Sequence, residues 1–228
     1  MPTIRDLGLL AEAAYDGATT APGWIRINNQ AASGSFNGFQ AATFTRGGET
    51  VLAFRGTAQL MDVVADLKLG TGMNSTYFAA ADTYAFGFRH LPNVYVCGHS
   101  LGGAIAQVVA NRGGFKFATF NAPGVAVLAS RNIGDATLGM TAVRTAGMVL
   151  SAFRHPFQAI SDVRATFNTV RGLNVCLQND VVSKIGVHYG DIARIPGTSA
   201  NPLTEHGIGT VNSVLTLNAV GGLDVAAF

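Results

Sequence analysis

The sequence predicts an α/β fold with a mostly parallel central sheet flanked by helices. Two observations carry this. Short apolar runs with strand character alternate along the chain with longer stretches of helical spacing, the pattern of a parallel sheet crossed over by helices. At residues 94–107 an apolar run, Val94-Tyr95-Val96-Cys97, meets the turn Gly98-His99-Ser100-Leu101-Gly102 and then a small-residue helix. A serine at such a strand-to-helix corner sits in strained backbone, so the positions two before and two after it must be nearly free of side chain. Gly98 and Gly102 stand at those positions.

Each element follows in order. Residues 3–16 have amphipathic helical spacing, with Ile4, Leu7, Leu10, Ala11 and Ala14 on one side, and Asp16-Gly17 ends the run. Pro22-Gly23 is a turn, and Trp24, Ile25 and Ile27 open a short strand or loop. Residues 38–45 read as a strand, Arg46-Gly47-Gly48 as a hairpin turn and Thr50 to Phe54 as the returning strand. A helical turn is expected near Asp62 to Leu67, a polar loop at 70–76 and a crossover helix at 77–90 ahead of the elbow strand. After the elbow helix come a turn at Asn111 to Gly114 and a strand at Phe115 to Phe120. Residues 125–171 are largely helical in pattern, Leu173 to Leu177 is another apolar strand, 181–196 is irregular or short-stranded, and 206–218 is a helix.

Composition narrows the function classes. A chain of 228 residues supports one sizeable core and shows no repeat or linker-like shift, so one domain spanning 1–228 is expected. Only 12% of residues are charged and the net charge is +2, with no basic cluster, which argues against a nucleic-acid partner. Cys97 and Cys176 lie in strand-like apolar runs and read as buried thiols. No metal-ligand spacing joins the five histidines and no phosphate-binding glycine loop follows a strand, so no cofactor or metal is implied. The first residues lack the uninterrupted apolar core of a signal peptide, and Arg144 breaks the most apolar stretch, Leu138 to Phe153. The expectation is a cytoplasmic protein, or one exported by a leaderless route.

The elbow points to nucleophilic catalysis. A serine hydroxyl needs a histidine to take its proton and a carboxylate to hold that histidine in the right tautomer. Ser100 is the candidate nucleophile, and the free N–H groups at the start of the helix after it are aimed where an oxyanion forms. In this chain order the acid and base follow the serine. Asp180 ends an apolar strand; Asp162 and Asp191 are rivals that end no clear core strand. His188 and His206 both follow Asp180, and order alone does not choose between them. His99, beside the nucleophile, should point away from substrate and act structurally, and His90 and His155 read as surface or packing residues.

The elbow, Phe54-Arg55-Gly56-Thr57, the paired Asp62 and Asp66, and Asn179-Asp180-Val181-Val182 occur in an order that resembles the class 3 (fungal-type) lipases of the α/β-hydrolases. Ala13-Ala14-Tyr15-Asp16, Gly38-Phe39-Gln40-Ala41 and Phe120-Asn121-Ala122-Pro123 extend the likeness over most of 8–125 and 173–215. The resemblance implies that Ser100 is the nucleophile, Asp180 the triad acid, and Thr57 and Leu101 the oxyanion donors. It implies a serine ester hydrolase acting on acyl lipids, a triacylglycerol or a phospholipid, with transient contact at a lipid interface. Asp62 and Asp66 would brace the oxyanion loop through Arg55. Ser183 departs from the family, which often has proline after Asp-x-Val. His188 sits in a segment resembling the His-x-Gly element ahead of the family's base, and its short return from Asp180 leaves little room to reach Ser100. His206 follows a Pro/Gly/Ser/Asn loop and precedes an apolar helix, so it is the expected base. Residues 126–170 depart most from the family and are expected to form a helical cap over the site, against an ordinary packed helical pair. A soluble short-chain carboxylesterase and a non-catalytic binding scaffold stay open as other readings.

Overall fold

The computed structural model describes residues 1–16, 21–31, 39–56, 75–125 and 170–228. Helix α1 spans Ile4–Ala13, followed by strands β1 (Ile25–Ala31), β2 (Gln40–Arg46) and β3 (Glu49–Phe54). Helix α2 (Ser75–Phe86) leads to β4 (Val94–His99), α3 (Leu101–Gly113) and β5 (Lys116–Phe120). Strands β6 (Gly172–Leu177) and β7 (Asp191–Ile195) come next, then helices α4 (Pro202–His206) and α5 (Ile208–Leu217). The expected helical turn at 62–67, and the cap except for Val170, lie outside the described residues.

Among the described residues, seven strands form one sheet in sequential order, β1 to β7. The first three pair antiparallel as a meander, and β3 to β7 run parallel. The parallel half has a reason in sequence. Its strands are apolar on both faces, as a sheet covered by helices on both sides requires. Leu52, Phe54, Val94, Val96 and Phe117 pack under α2 and α3, with Ala104, Ile105, Val108 and Val109 above them. The alternate residues, Val51, Ala53, Tyr95, Cys97, Ala118 and Phe120, face the other side, where α1 and α5 supply Leu7, Leu10, Ala11, Val211 and Leu215. Helix α1 starts at a capping box: the Thr3 side chain accepts from Asp6 N–H while the Asp6 carboxylate accepts from Thr3 N–H. Both cysteines are buried free thiols.

At the C-terminal end one expectation is met and one is corrected. The stretch 181–196 holds a 3-10 turn at Val182–Lys184 and a true parallel strand, β7, paired along its length with β6. Its sequence is polar because it is the edge strand, with Asp191 exposed, so the apolar signal of an inner strand is missing. The C-terminal helix was expected to open at residue 206. Instead His206 closes a short helix, α4, capped by Asn201 with Pro202 at its first turn, and a new helix begins at Ile208. Five residues are too few to show helical periodicity, so only the cap signals it.

The parallel strands all deliver their C-terminal ends to one edge. Gly56, Ser100, Asn121 and Asp180 follow β3, β4, β5 and β6 there, and α4 brings His206 back after β7. Ligand sites of such sheets lie at this edge.

Candidate active site

Ser100 occupies the corner between β4 and α3 with φ 56° and ψ −128°, a strained conformation for a residue with a side chain. Crowding explains the flanking glycines. A Cβ on Gly98 would lie 2.4 Å from the backbone of Gly102, and a Cβ on Gly102 would lie 2.0 Å from the Phe54 carbonyl oxygen. Ser100 N–H donates to Phe120 O at 3.1 Å, which pins the corner to β5.

Three of the sequence-predicted residues meet at Ser100. His206 Nε2 lies 2.9 Å from Ser100 Oγ, and His206 Nδ1 lies 2.8 Å from Asp180 Oδ1. All three are buried, Asp180 completely. Asp180 also accepts from Val182 N–H at 3.3 Å and from Ser183 N–H at 2.8 Å. Ser183, where the family resemblance departs, therefore supplies a donor that proline lacks. Burial alone would raise the Asp180 pKa, but hydrogen bonding and charge from His206, with the Ser183 donors, outweigh it and hold the carboxyl below its ordinary value. An ionised Asp180 keeps the proton on His206 Nδ1 and leaves Nε2 as an acceptor toward Ser100.

The rivals fall elsewhere. His188 is buried and its Nε2 donates to Ala122 O at 2.9 Å. Asp191 opens the exposed edge strand, and Asp162 lies outside the described residues. Leu101 is the first residue of α3, where helical N–H groups lack an intrahelical partner. Thr57, Asp62 and Asp66 lie outside the described residues. Arg55, expected to meet those aspartates, donates to the Gln40 side chain.

Buried polar residues to which the sequence assigned no role hold the edge together. Asn121, at φ 44°, donates from Nδ2 to Glu205 O at 2.7 Å and His206 O at 3.3 Å, and its Oδ1 accepts from Leu177 N–H at 2.8 Å. It thus links the ends of β5 and β6 to the helix carrying His206. Glu205 is fully buried, and its Oε1 accepts from Thr198 N–H and Ser199 N–H, drawing the approach loop onto α4. The signal available in sequence for Asn121 was its place directly after a core strand.

A serine on a strained strand-to-helix corner, backed by histidine and a buried aspartate at the C-terminal edge of a mostly parallel sheet, defines an α/β-hydrolase. A family model described as a Tle-like phospholipase domain matches residues 6–201, and the chain belongs to this phospholipase-like family. The class 3 lipase resemblance read from the motifs is borne out at this level. An extracellular phospholipase A1 of Serratia liquefaciens is 31% identical over 134 residues, covering 52% of this chain and 41% of that protein. The match thus spans about two-fifths of the relative's length. A Rhizomucor miehei lipase deletion mutant, in complex with its propeptide, superposes with a TM-score of 0.50 at 15% identity. That superposition covers 97% of this chain and 78% of the other, and the likeness is one of fold. Among the described residues no helix is long and apolar enough to cross a membrane.

Proposed function

We propose that the chain hydrolyses acyl esters of phospholipids through an acyl-enzyme at Ser100. The observation that carries this is the unbroken hydrogen-bonded file from Ser100 Oγ through both nitrogens of His206 to Asp180 Oδ1. In the first step Ser100 Oγ attacks the ester carbonyl carbon while its proton passes to His206 Nε2. The oxyanion is held by Leu101 N–H and by Thr57, through its N–H and hydroxyl. Collapse breaks the acyl–oxygen bond, and the leaving alcohol takes the proton from His206. Water, deprotonated by the same histidine, then releases the fatty acid.

The choice of phospholipid over triacylglycerol is supported by the description of the matched family and the name of the Serratia relative. Such a substrate sits in an interface, so the chain meets it by transient contact with a lipid surface. Export to a surface outside the producing cell is carried over from the same relative, whose name is extracellular.

The test is fatty-acid release from phospholipid vesicles, triacylglycerol emulsions and p-nitrophenyl esters, with Ser100→Ala beside the parent. Ser100→Ala should stay folded and lose about 10⁴-fold or more of the rate. Activity within tenfold of the parent would remove Ser100 from the mechanism. Hydrolysis of soluble short esters alone would make the chain a carboxylesterase instead.

A further inference from the structure

We propose that Tyr15 and His99 form a positioning relay that ties the end of β3 at Gly56 to the backbone of His206, holding the oxyanion side and the base side of the site in register. The proposal rests on the reading of His206 as the general base.

The observation is a chain of hydrogen bonds linking residues distant in sequence. Gly56 N–H donates to Tyr15 Oη at 3.1 Å. Tyr15 Oη lies 2.9 Å from His99 Nδ1, and His99 Nε2 lies 2.6 Å from the carbonyl oxygen of His206. With the His99 ring neutral, valence gives every proton in the chain one place. A carbonyl only accepts, so His99 Nε2 carries the proton. The neutral ring then has Nδ1 as acceptor, so Tyr15 donates to it. The Tyr15 oxygen is left to accept, and the Gly56 N–H supplies that proton. The hydroxyl's other contact, His99 O at 3.4 Å, is longer and takes second place.

Protonation states agree with this direction. Burial, followed by the neighbouring His206, pushes the His99 pKa down to about 3, so the ring is neutral at working pH. Burial pushes the Tyr15 hydroxyl up to about 12, so it keeps its proton. Packing leaves the relay little slack. A Cβ on Gly56 would lie 2.5 Å from Tyr15 Oη and 2.8 Å from His99 O, which explains the glycine in Arg55-Gly56-Thr57. The His99 and His206 rings lie 4.8 Å apart. The His206 carbonyl, held by His99 and more loosely by Asn121, fixes the backbone from which the imidazole reaches Ser100. Neither Tyr15 nor His99 hydrogen-bonds Ser100 or Asp180 through its side chain among the described contacts. Both are positioning residues.

The two amides separate the halves of the relay, since glutamine places its N–H₂ near the Nε2 position and asparagine places its oxygen near Nδ1. The experiment measures kcat and KM on a soluble p-nitrophenyl ester, the rate of fluorophosphonate labelling of Ser100, and Tm, for Tyr15→Phe, His99→Gln and His99→Asn, with His206→Ala alongside. Misplacing reacting groups by about an ångström costs on the order of 10²-fold. Tyr15→Phe should therefore lose roughly tenfold or more in kcat and in labelling rate, with KM within about twofold. His99→Gln should retain more kcat than His99→Asn, because it keeps the donor to His206 O. In the parent, ¹⁵N NMR should report His99 as the neutral Nε2–H tautomer down to pH 5. Parental kcat in Tyr15→Phe, asparagine matching glutamine, or an Nδ1–H or charged His99 each overturns the relay. If Tyr15→Phe does not fold, the amide pair and the NMR tautomer decide. Full activity in His206→Ala would instead sink the underlying assignment of the base.

Discussion

At the scale of single residues, two histidines of the same chemistry have different surroundings. His206 stands between a buried carboxylate and a serine hydroxyl, whereas His188 donates to the Ala122 carbonyl. His206→Ala should lose about as much rate as Ser100→Ala, because members of a triad act as a unit. His188→Ala should keep kcat within about fivefold and lower stability by roughly 1–3 kcal/mol, the cost of leaving a buried carbonyl without its donor. Steady-state kinetics and urea melts on both variants separate the outcomes; an inactive, folded His188→Ala beside an active His206→Ala would reverse the roles. A third histidine contributes to the acid limb of stability. His99 has its pKa lowered from 6.5 to about 3 by burial and by His206. Between those values the unfolded chain binds a proton at position 99 and the folded chain does not, so stability falls as pH drops through this window. The linked loss is on the order of 4 kcal/mol by pH 3. Urea melts from pH 7 to 4 should show that slope in the parent and a shallower one in His99→Gln; equal slopes would mean that position 99 does not titrate this way. Asp180, held below the ordinary carboxylate range, adds its own loss at lower pH still.

At the scale of elements, the elbow is a packing problem solved by absent side chains. The start of α3 lies against the end of β3 so closely that Gly102 has no room for a methyl group beside the Phe54 carbonyl. Backbone cannot yield as a flexible side chain does. Gly102→Ala should therefore displace α3, with Ser100 at its head, and cost several kcal/mol, of the size seen for overpacked cores. Thermal denaturation and activity should fall together; a variant with parental Tm and kcat would show that the corner is looser than its spacing. Further along the same edge, buried amides tie elements that hydrophobic burial alone would leave free to slide. Gln107 on α3 donates to Pro123 O and accepts from Tyr189 N–H, and Asn174 on β6 donates to Tyr189 O and Asp191 O. These bonds set the segment between β6 and β7 against the elbow helix.

At the scale of the molecule, the two ends of the chain close on one another. Thr3 bridges Asp224, Val225 N–H donates to Pro2 O at 3.2 Å, and Val225 is fully buried. The cap expected over 126–170 stands as a proposal on the sequence, carried by its large apolar residues at helical spacing and its position between β5 and β6. A cap predicts a rate jump when substrate passes from monomers to an interface, since opening exposes apolar surface. Smooth saturation through that transition, measured with a short-chain phospholipid across its critical micelle concentration, would count against it.

By itself the sequence determined what local rules can carry. Alternating apolar runs and helical spacings specified the parallel sheet, and the glycines around Ser100 specified the elbow, because both follow from the backbone geometry of a few neighbouring residues. The order serine, aspartate, histidine was legible too, along with Asp180 at the end of a core strand. Edge strand β7 was legible only as an irregular or short-stranded stretch, because an edge carries no apolar signal, and helix α4 was not legible, because five residues show no period. Which residues converge was decided only by assembly of the sheet. Ser100 and His206 are 106 positions apart, and Tyr15 and His99 are 84 apart. No local pattern records that the side chain next to Ser100 turns toward Tyr15 and the His206 carbonyl, or that Asn121 reaches the same carbonyl from β5. Those bonds exist because parallel strands deliver their ends to one edge, where polar groups lose water and must satisfy one another.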